Sequence, residues 1–152
     1  MVTRIDGIDS LHARVGEHLG YSDWHLVTQE QVDRFADATG DHQWIHVDPE
    51  RARRESPFGG PIAHGYLTLS MGPVLLSEVM TVSGVAYGLN YGCNRVRFPA
   101  PVPVGARLRA GARLASVEDV PGGAQAVIEL TFEVEGGSKP VCVAEVVFRY
   151  YS

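Results

Sequence analysis

The sequence predicts an α+β domain in which one curled antiparallel sheet of long strands wraps a buried helix. Three observations lead there. After Gly84 apolar residues recur at every second position, with glycine- and proline-rich turns between the runs. Residues 62–80 are apolar on every side, the pattern of a helix buried all round. The first third carries only short, capped stretches of helical spacing.

Taken in order, Leu11, Val15 and Leu19 stand four apart behind a possible cap at Asp9 or Ser10, and predict a short amphipathic helix over 9–19. Residues 21–27 read as a connector into a short extended piece. Thr28-Gln29-Glu30-Gln31 fits a capping box, in which the Thr28 hydroxyl and the Gln31 side chain satisfy each other's free amides. Val32, Phe35, Ala36 and Thr39 continue at helical spacing, and Gly40 ends that helix. Asp48-Pro49-Glu50 starts another, with Asp as N-cap and Pro at the first helical position, and it stops before Pro57. In residues 62–80, Pro73 lacks an amide proton and clashes with the preceding turn, so the helix must kink or restart there.

Residues 85–98 hold one or two strands, interrupted by Gly88 and Gly92. Pro99, Pro101 and Pro103 make the next stretch an extended link. Residues 106–117 set Leu108, Ala110, Ala112 and Leu114 against Arg107, Arg109 and Arg113. Pro121-Gly122-Gly123 turns the chain into 124–135, where Ala124, Ala126, Ile128, Leu130, Phe132 and Val134 share a face. A second turn at 136–140 leads to a last strand over 141–151. The economical packing lays the apolar helix across the concave face of the sheet, which is the single hot dog arrangement.

At 152 residues the chain is one domain, residues 1–152, with enough length for a real core. A formal net charge of −5 argues against a nucleic acid or an anionic membrane as partner. Cys93 and Cys142 match no metal spacing and read as free thiols. The N-terminus has no apolar signal core, and the most apolar run is broken by Gly72 and Pro73, so the expected location is the cytoplasm.

The chemistry concentrates in Thr39-Gly40-Asp41-His42-Gln43-Trp44-Ile45-His46. On a regular helix Asp41 and His46 would point about 140° apart. They converge only if the segment bends, and Gly40 supplies the positive φ that permits a bend. A carboxylate and an imidazole brought together suit acid–base work. Asp capping a turn and His in an ordinary hydrogen bond is the bland alternative, and for an isolated pair the commoner one. His42 and His46 with Asp41 could also ligate a metal, but no glutamate lies between the histidines and Gly40 argues against helix; no metal is expected. Ala63-His64-Gly65 is the second candidate, since a glycine at a helix start exposes an amide without an intrahelical acceptor. Arg51, Arg53 and Arg54 form either a solvated face or a site for phosphates.

Together these residues resemble a family. Phe35-Ala36-Asp37-Ala38-Thr39-Gly40-Asp41 with His46 and Ala52 resembles the hydratase 2 motif of MaoC-like dehydratases, the (R)-specific enoyl-CoA hydratases. Pro61-Ile62-Ala63-His64-Gly65 and Arg97-Phe98-Pro99-Ala100-Pro101-Val102 resemble two further stretches of the same family. The resemblance spans roughly residues 20–150 and is nearest to the nodulation protein N-like, single hot dog branch. Gln43-Trp44 stands where the family commonly has Asn-Pro, which alters the loop and with it the acyl-chain preference. Pro73 falls near the place of a serine that some relatives carry, so that contact is expected to be absent.

The resemblance implies reversible hydration of trans-2-enoyl-CoA to (R)-3-hydroxyacyl-CoA. Asp41 and His46 would hold the water, and the Gly65 amide the thioester oxygen. His64, Arg51 and Arg54 would bind substrate, and the chemistry would use no cofactor. The rival readings are a hot dog thioesterase, a 3-hydroxyacyl-carrier-protein dehydratase and a non-catalytic acyl-CoA-binding module. An open sheet leaves unpaired edges, and a homodimer joined at an edge is expected.

Overall fold

A computed structural model describes residues 1–152. The chain opens with strand β1 (Thr3–Asp6), helix α1 (Gly7–Ala13), strand β2 (His18–Tyr21) and the short β3 (His25–Leu26). Three helical segments follow: α2 (Gln29–Thr39), the single turn α3 (Trp44–Val47) and α4 (Pro49–Glu55). The central helix is split into α5 (Gly65–Ser70) and α6 (Gly72–Ser77). Strands β4 (Met80–Ser83), β5 (Tyr87–Arg97), β6 (Arg107–Val120), β7 (Gly123–Val134) and β8 (Cys142–Tyr151) complete it.

The main sheet runs β2-β6-β7-β8-β5 with every pair antiparallel, and β3 extends the β2 end against β6. Its concave face is built from the alternation predicted for the C-terminal half. Ala110 lies opposite Phe132, Ala112 opposite Leu130, and Leu130 in turn opposite Ala144, all fully or almost fully buried. Setting small residues beside large ones lets α6 approach closely: a Cβ on Gly72 would stand 3.3 Å from Leu130 Cδ1. Irregular register between Leu114 and Ser116 bends β6, as a bulge does, and helps the sheet curl. Each aliphatic side chain buried on this face contributes about 1.5–3 kcal/mol. The cross-strand pairs Arg109–Glu133 and Arg113–Glu129 on the other face are exposed enough to be worth about 0–1 kcal/mol each. The concave face, not the ion pairs, holds the sheet to the helices.

Three sequence-based expectations need correction. The helix over 9–19 ends at Ala13: Val15 is 43% exposed, and Leu19 is buried in a strand. Gly16 has φ +93, and its amide donates to the Leu114 carbonyl, so the chain turns there to join the sheet edge. The central helix is shorter than residues 62–80. Pro73 lies in the first turn of α6, where no amide is needed, and Met80 belongs to β4, which pairs in parallel with β1. Nor is the helix buried all round, because Tyr66 and Val74 are 71% and 54% exposed. The capping box is half formed. Thr28 Oγ1 accepts from the Gln31 amide at 3.1 Å, whereas the Gln31 side chain turns toward Met71 Sδ.

The predicted stop at Gly40 places the site. Gly40 takes φ +84 and donates to the Ala36 carbonyl at 2.8 Å, closing α2 and redirecting the chain. A Cβ there would meet nothing within 4 Å, so the cost of a side chain is backbone strain alone. Gly40→Ala is therefore expected to destabilise by about 1–2 kcal/mol. At this chain length that lowers the melting temperature by roughly 2–8 °C. Gly40→Asn, which tolerates the left-handed region, should lose less; equal melts for all three proteins would contradict the assignment.

Candidate active site

Beyond Gly40 the chain is irregular for three residues and then makes the single turn α3. The Asp41 carboxylate accepts from the Gln43 amide at 3.3 Å, and the His46 amide donates to the Gln43 carbonyl at 3.0 Å. This compact turn brings together two side chains that a continuous helix would separate. A carboxylate oxygen of Asp41 and one ring nitrogen each of His46 and His64 all lie within 4.8 Å of one another. Asp41 is exposed, whereas His46 and His64 are only 7% and 2% exposed.

His46 is held by Ile62. Its Nδ1 donates to the Ile62 carbonyl at 2.6 Å, and the Ile62 amide donates back to the Ile45 carbonyl at 3.0 Å. Because a carbonyl only accepts, the proton is on Nδ1 and Nε2 presents a lone pair. Burial pushes the His46 pKa below its ordinary 6.5, and the neighbouring His64 ring pushes the same way. The Ile62 carbonyl and Asp41 oppose them without reversing the outcome. The side chain is a neutral imidazole at pH 7, able to accept a proton beside a carboxylate.

His64, expected to bind substrate, is engaged with the other two residues of the cluster. Its Nε2 donates to the backbone carbonyl of Asp41 at 3.0 Å. Its ring stacks on His46 with centroids 3.9 Å apart and planes 24° from parallel, and Phe35 backs it at 4.9 Å. His64 thus fixes the positions of both Asp41 and His46. Arg51 and Arg54 are also placed elsewhere: both pair with Glu55, at 3.1 and 3.7 Å, and Arg51 lies 4.3 Å over the Trp44 ring. Neither lines the cleft beside His46. His42 turns outward to Asp37 at 2.9 Å, so it does not join His46 and Asp41 as a ligand set. The remaining three-residue cluster suits a metal poorly. The stacked imidazoles hold their lone pairs in nearly parallel planes with centroids 3.9 Å apart, whereas a metal needs them to converge on one point at about 2.0–2.1 Å.

His46 faces a cleft of about 400 Å³. Gly65 and Thr68 from α5 stand on one wall, and Phe58, Phe98, Val102 and Val141 supply apolar surface. The amide of Gly65 has no acceptor in the protein. Its missing side chain has a packing reason as well, since a Cβ would lie 3.1 Å from the Phe98 ring. An alanine at 65 must therefore move Phe98, a contact the sequence did not reveal. Thr68 was also not singled out from sequence, and Phe98 was singled out only as part of the 97–102 stretch, without a role in the site. The signal for Thr68 is its hydroxyl three residues after Gly65, between Leu67 and Leu69, because i, i+3 positions share a face.

Relatives of known description carry the same framework. The family described as MaoC like domain matches residues 10–134. The chain is 56% identical to 3-hydroxyacyl-thioester dehydratase Z of Mycobacterium tuberculosis (strain ATCC 25618 / H37Rv), over 95% of this chain and 96% of that protein. It is 47% identical to nodulation protein N of Rhizobium leguminosarum bv. viciae, over 87% of this chain and 83% of that protein. In fold it matches the unliganded R-hydratase PhaJ1 of Pseudomonas aeruginosa at a TM-score of 0.71. That match has 22% identity and covers 91% of this chain and 82% of the other. With this match over most of its length, and with the hot dog architecture described above, the chain belongs to the MaoC-like dehydratase family.

Proposed function

We propose that the protein is an (R)-specific hydratase of trans-2-enoyl thioesters, with enoyl-CoA as substrate, and runs reversibly as a 3-hydroxyacyl thioester dehydratase. The observation that carries this reading is the neutral His46 imidazole beside the Asp41 carboxylate at the mouth of a largely apolar cleft. A water held between Asp41 and His46 Nε2 would supply its hydroxyl to C3 and a proton to C2, so that one water is consumed and no other reactant is needed. The two groups act as a coupled pair, which takes one proton from the water as the C3–O bond forms and returns that same proton to C2. The free Gly65 amide would donate to the thioester oxygen as enolate charge develops, a contribution of about 3 kcal/mol for one such donor. The thioester itself acidifies C2, so the proposed reaction draws on no metal or redox cofactor. The apolar wall formed by Phe58, Phe98 and Val102 suits an acyl chain. The dehydratase named among the relatives supports the same chemistry read in reverse.

Adding crotonyl-CoA and following the enoyl-thioester absorbance tests this directly. Loss of absorbance without release of free thiol is the expected result; free thiol would make the protein a thioesterase instead. Asp41→Asn and His46→Gln should each lower turnover by at least about a hundredfold. A folded variant that keeps near-normal turnover would remove that residue from the mechanism.

The proposal extends to a homodimer. Strand β5 ends the main sheet with its outer edge unpaired, and Tyr87, Leu89 and Tyr91 along it are exposed. An unpaired edge of eleven residues carrying these exposed side chains is a template for another strand. A second copy meeting it antiparallel would make one continuous sheet across a two-fold axis. Light scattering should give about twice the 16.5 kDa chain mass, and Leu89→Lys should halve it. A monomer at micromolar concentration would contradict the pairing.

A further inference from the structure

One polar side chain on the cleft wall has no task in the scheme above. Thr68 is 2% exposed, yet its hydroxyl meets no donor or acceptor of the protein. A threonine inside a helix commonly donates to the carbonyl four residues back. Here that carbonyl, of His64, instead accepts from the amides of Leu67 and Thr68 at 3.1 and 3.2 Å. The side chain lines the cleft with His46 and Gly65. The buried side-chain atoms left without a partner are Gln29 Oε1, Gln31 Oε1 and His64 Nδ1, so the Thr68 hydroxyl is not sealed in the interior but opens onto the cleft, where a ligand or water can pair with it.

Helix geometry says where it can act. Residues three apart lie on one face, and each Cα–Cβ bond leans toward the helix N-terminus. Thr68 therefore covers the turn that starts at Gly65, whose amide is free. The hydroxyl and the amide approach the same part of the cleft from adjacent levels of α5.

We infer that Thr68 is a catalytic residue whose hydroxyl donates a second hydrogen bond to the thioester oxygen held by the Gly65 amide. The inference rests on the hydratase reading and adds a donor to it. A hydroxyl can rotate to follow the oxygen as its charge grows, so the bond strengthens most in the transition state. No covalent step is involved: Thr68 keeps its proton throughout. Thr68→Val is the matched probe, because it keeps the volume and the branching at Cβ and removes only the hydroxyl.

Thr68→Val should slow hydration of crotonyl-CoA at saturation by about 10–100-fold with little change in KM, and leave the melting temperature equal or higher. Thr68→Ser should restore turnover to within about fivefold of the unmodified protein. An independent readout uses butyryl-CoA, which cannot be hydrated. The infrared stretch of its bound thioester carbonyl should lie below the free value in the unmodified protein and move back toward it in Thr68→Val. Should the valine variant fail to fold, Thr68→Ala against Thr68→Ser carries the same comparison. A valine variant as fast as the unmodified protein, or a serine variant as slow as valine, would overturn the inference. An unmodified protein that leaves crotonyl-CoA intact would instead remove the hydratase reading. The butyryl-CoA carbonyl shift would still judge Thr68 on its own.

Discussion

The hydrogen bond from His46 Nδ1 to the Ile62 carbonyl decides what the site can be. It is short, 2.6 Å, and lies in the buried interior. It selects the tautomer, turns Nε2 to the cleft, and ties the 41–47 turn to the strand-like link that enters the central helix. The same residue donates its amide to Ile45, so Ile62 grips both sides of the turn at once. Burial does the rest by disfavouring the imidazolium. Without the carbonyl the ring would lose the bond that selects its tautomer. With it, the base is aimed before substrate arrives, which is where positioned groups gain most of their effect.

The surrounding fold serves that one bond. Ile62 is held by a bridge to Pro103, and the Ala63 amide donates to the Val102 carbonyl at 2.8 Å, so the proline-rich link fixes the segment from behind. Gln29 Nε2 reaches across from α2 to the His46 carbonyl at 2.8 Å. His64 closes the arrangement by stacking on His46 and holding the Asp41 carbonyl. Each support comes from a different part of the chain.

The parts of this legible in the sequence are those governed by near neighbours. Thr28 and Asp48 cap their helices, Gly40 stops one, and the alternation from 106 onward sets the sheet face, because each is a matter of a few adjacent residues. The parts that were not legible depend on distant partners. Strand β1 exists because Met80–Ser83 lies beside it, and Leu19 is a strand residue because β6 passes there. In the site, Asp41 and His46 could be paired from their spacing and a glycine. The positioning role of His64 depends on a carbonyl 23 residues away and could not be read from spacing. Spacing alone does not show that Arg51 and Arg54 share Glu55, on the same short helix, as a partner.

The central claim is that His46 is a neutral imidazole carrying its proton on Nδ1. Long-range proton–nitrogen correlation spectra of the histidine rings test it on the unmodified protein. At pH 7 His46 should show a protonated Nδ1 and a bare Nε2, and it should titrate below 6.5. A proton on Nε2, or an imidazolium at pH 7, would contradict the account.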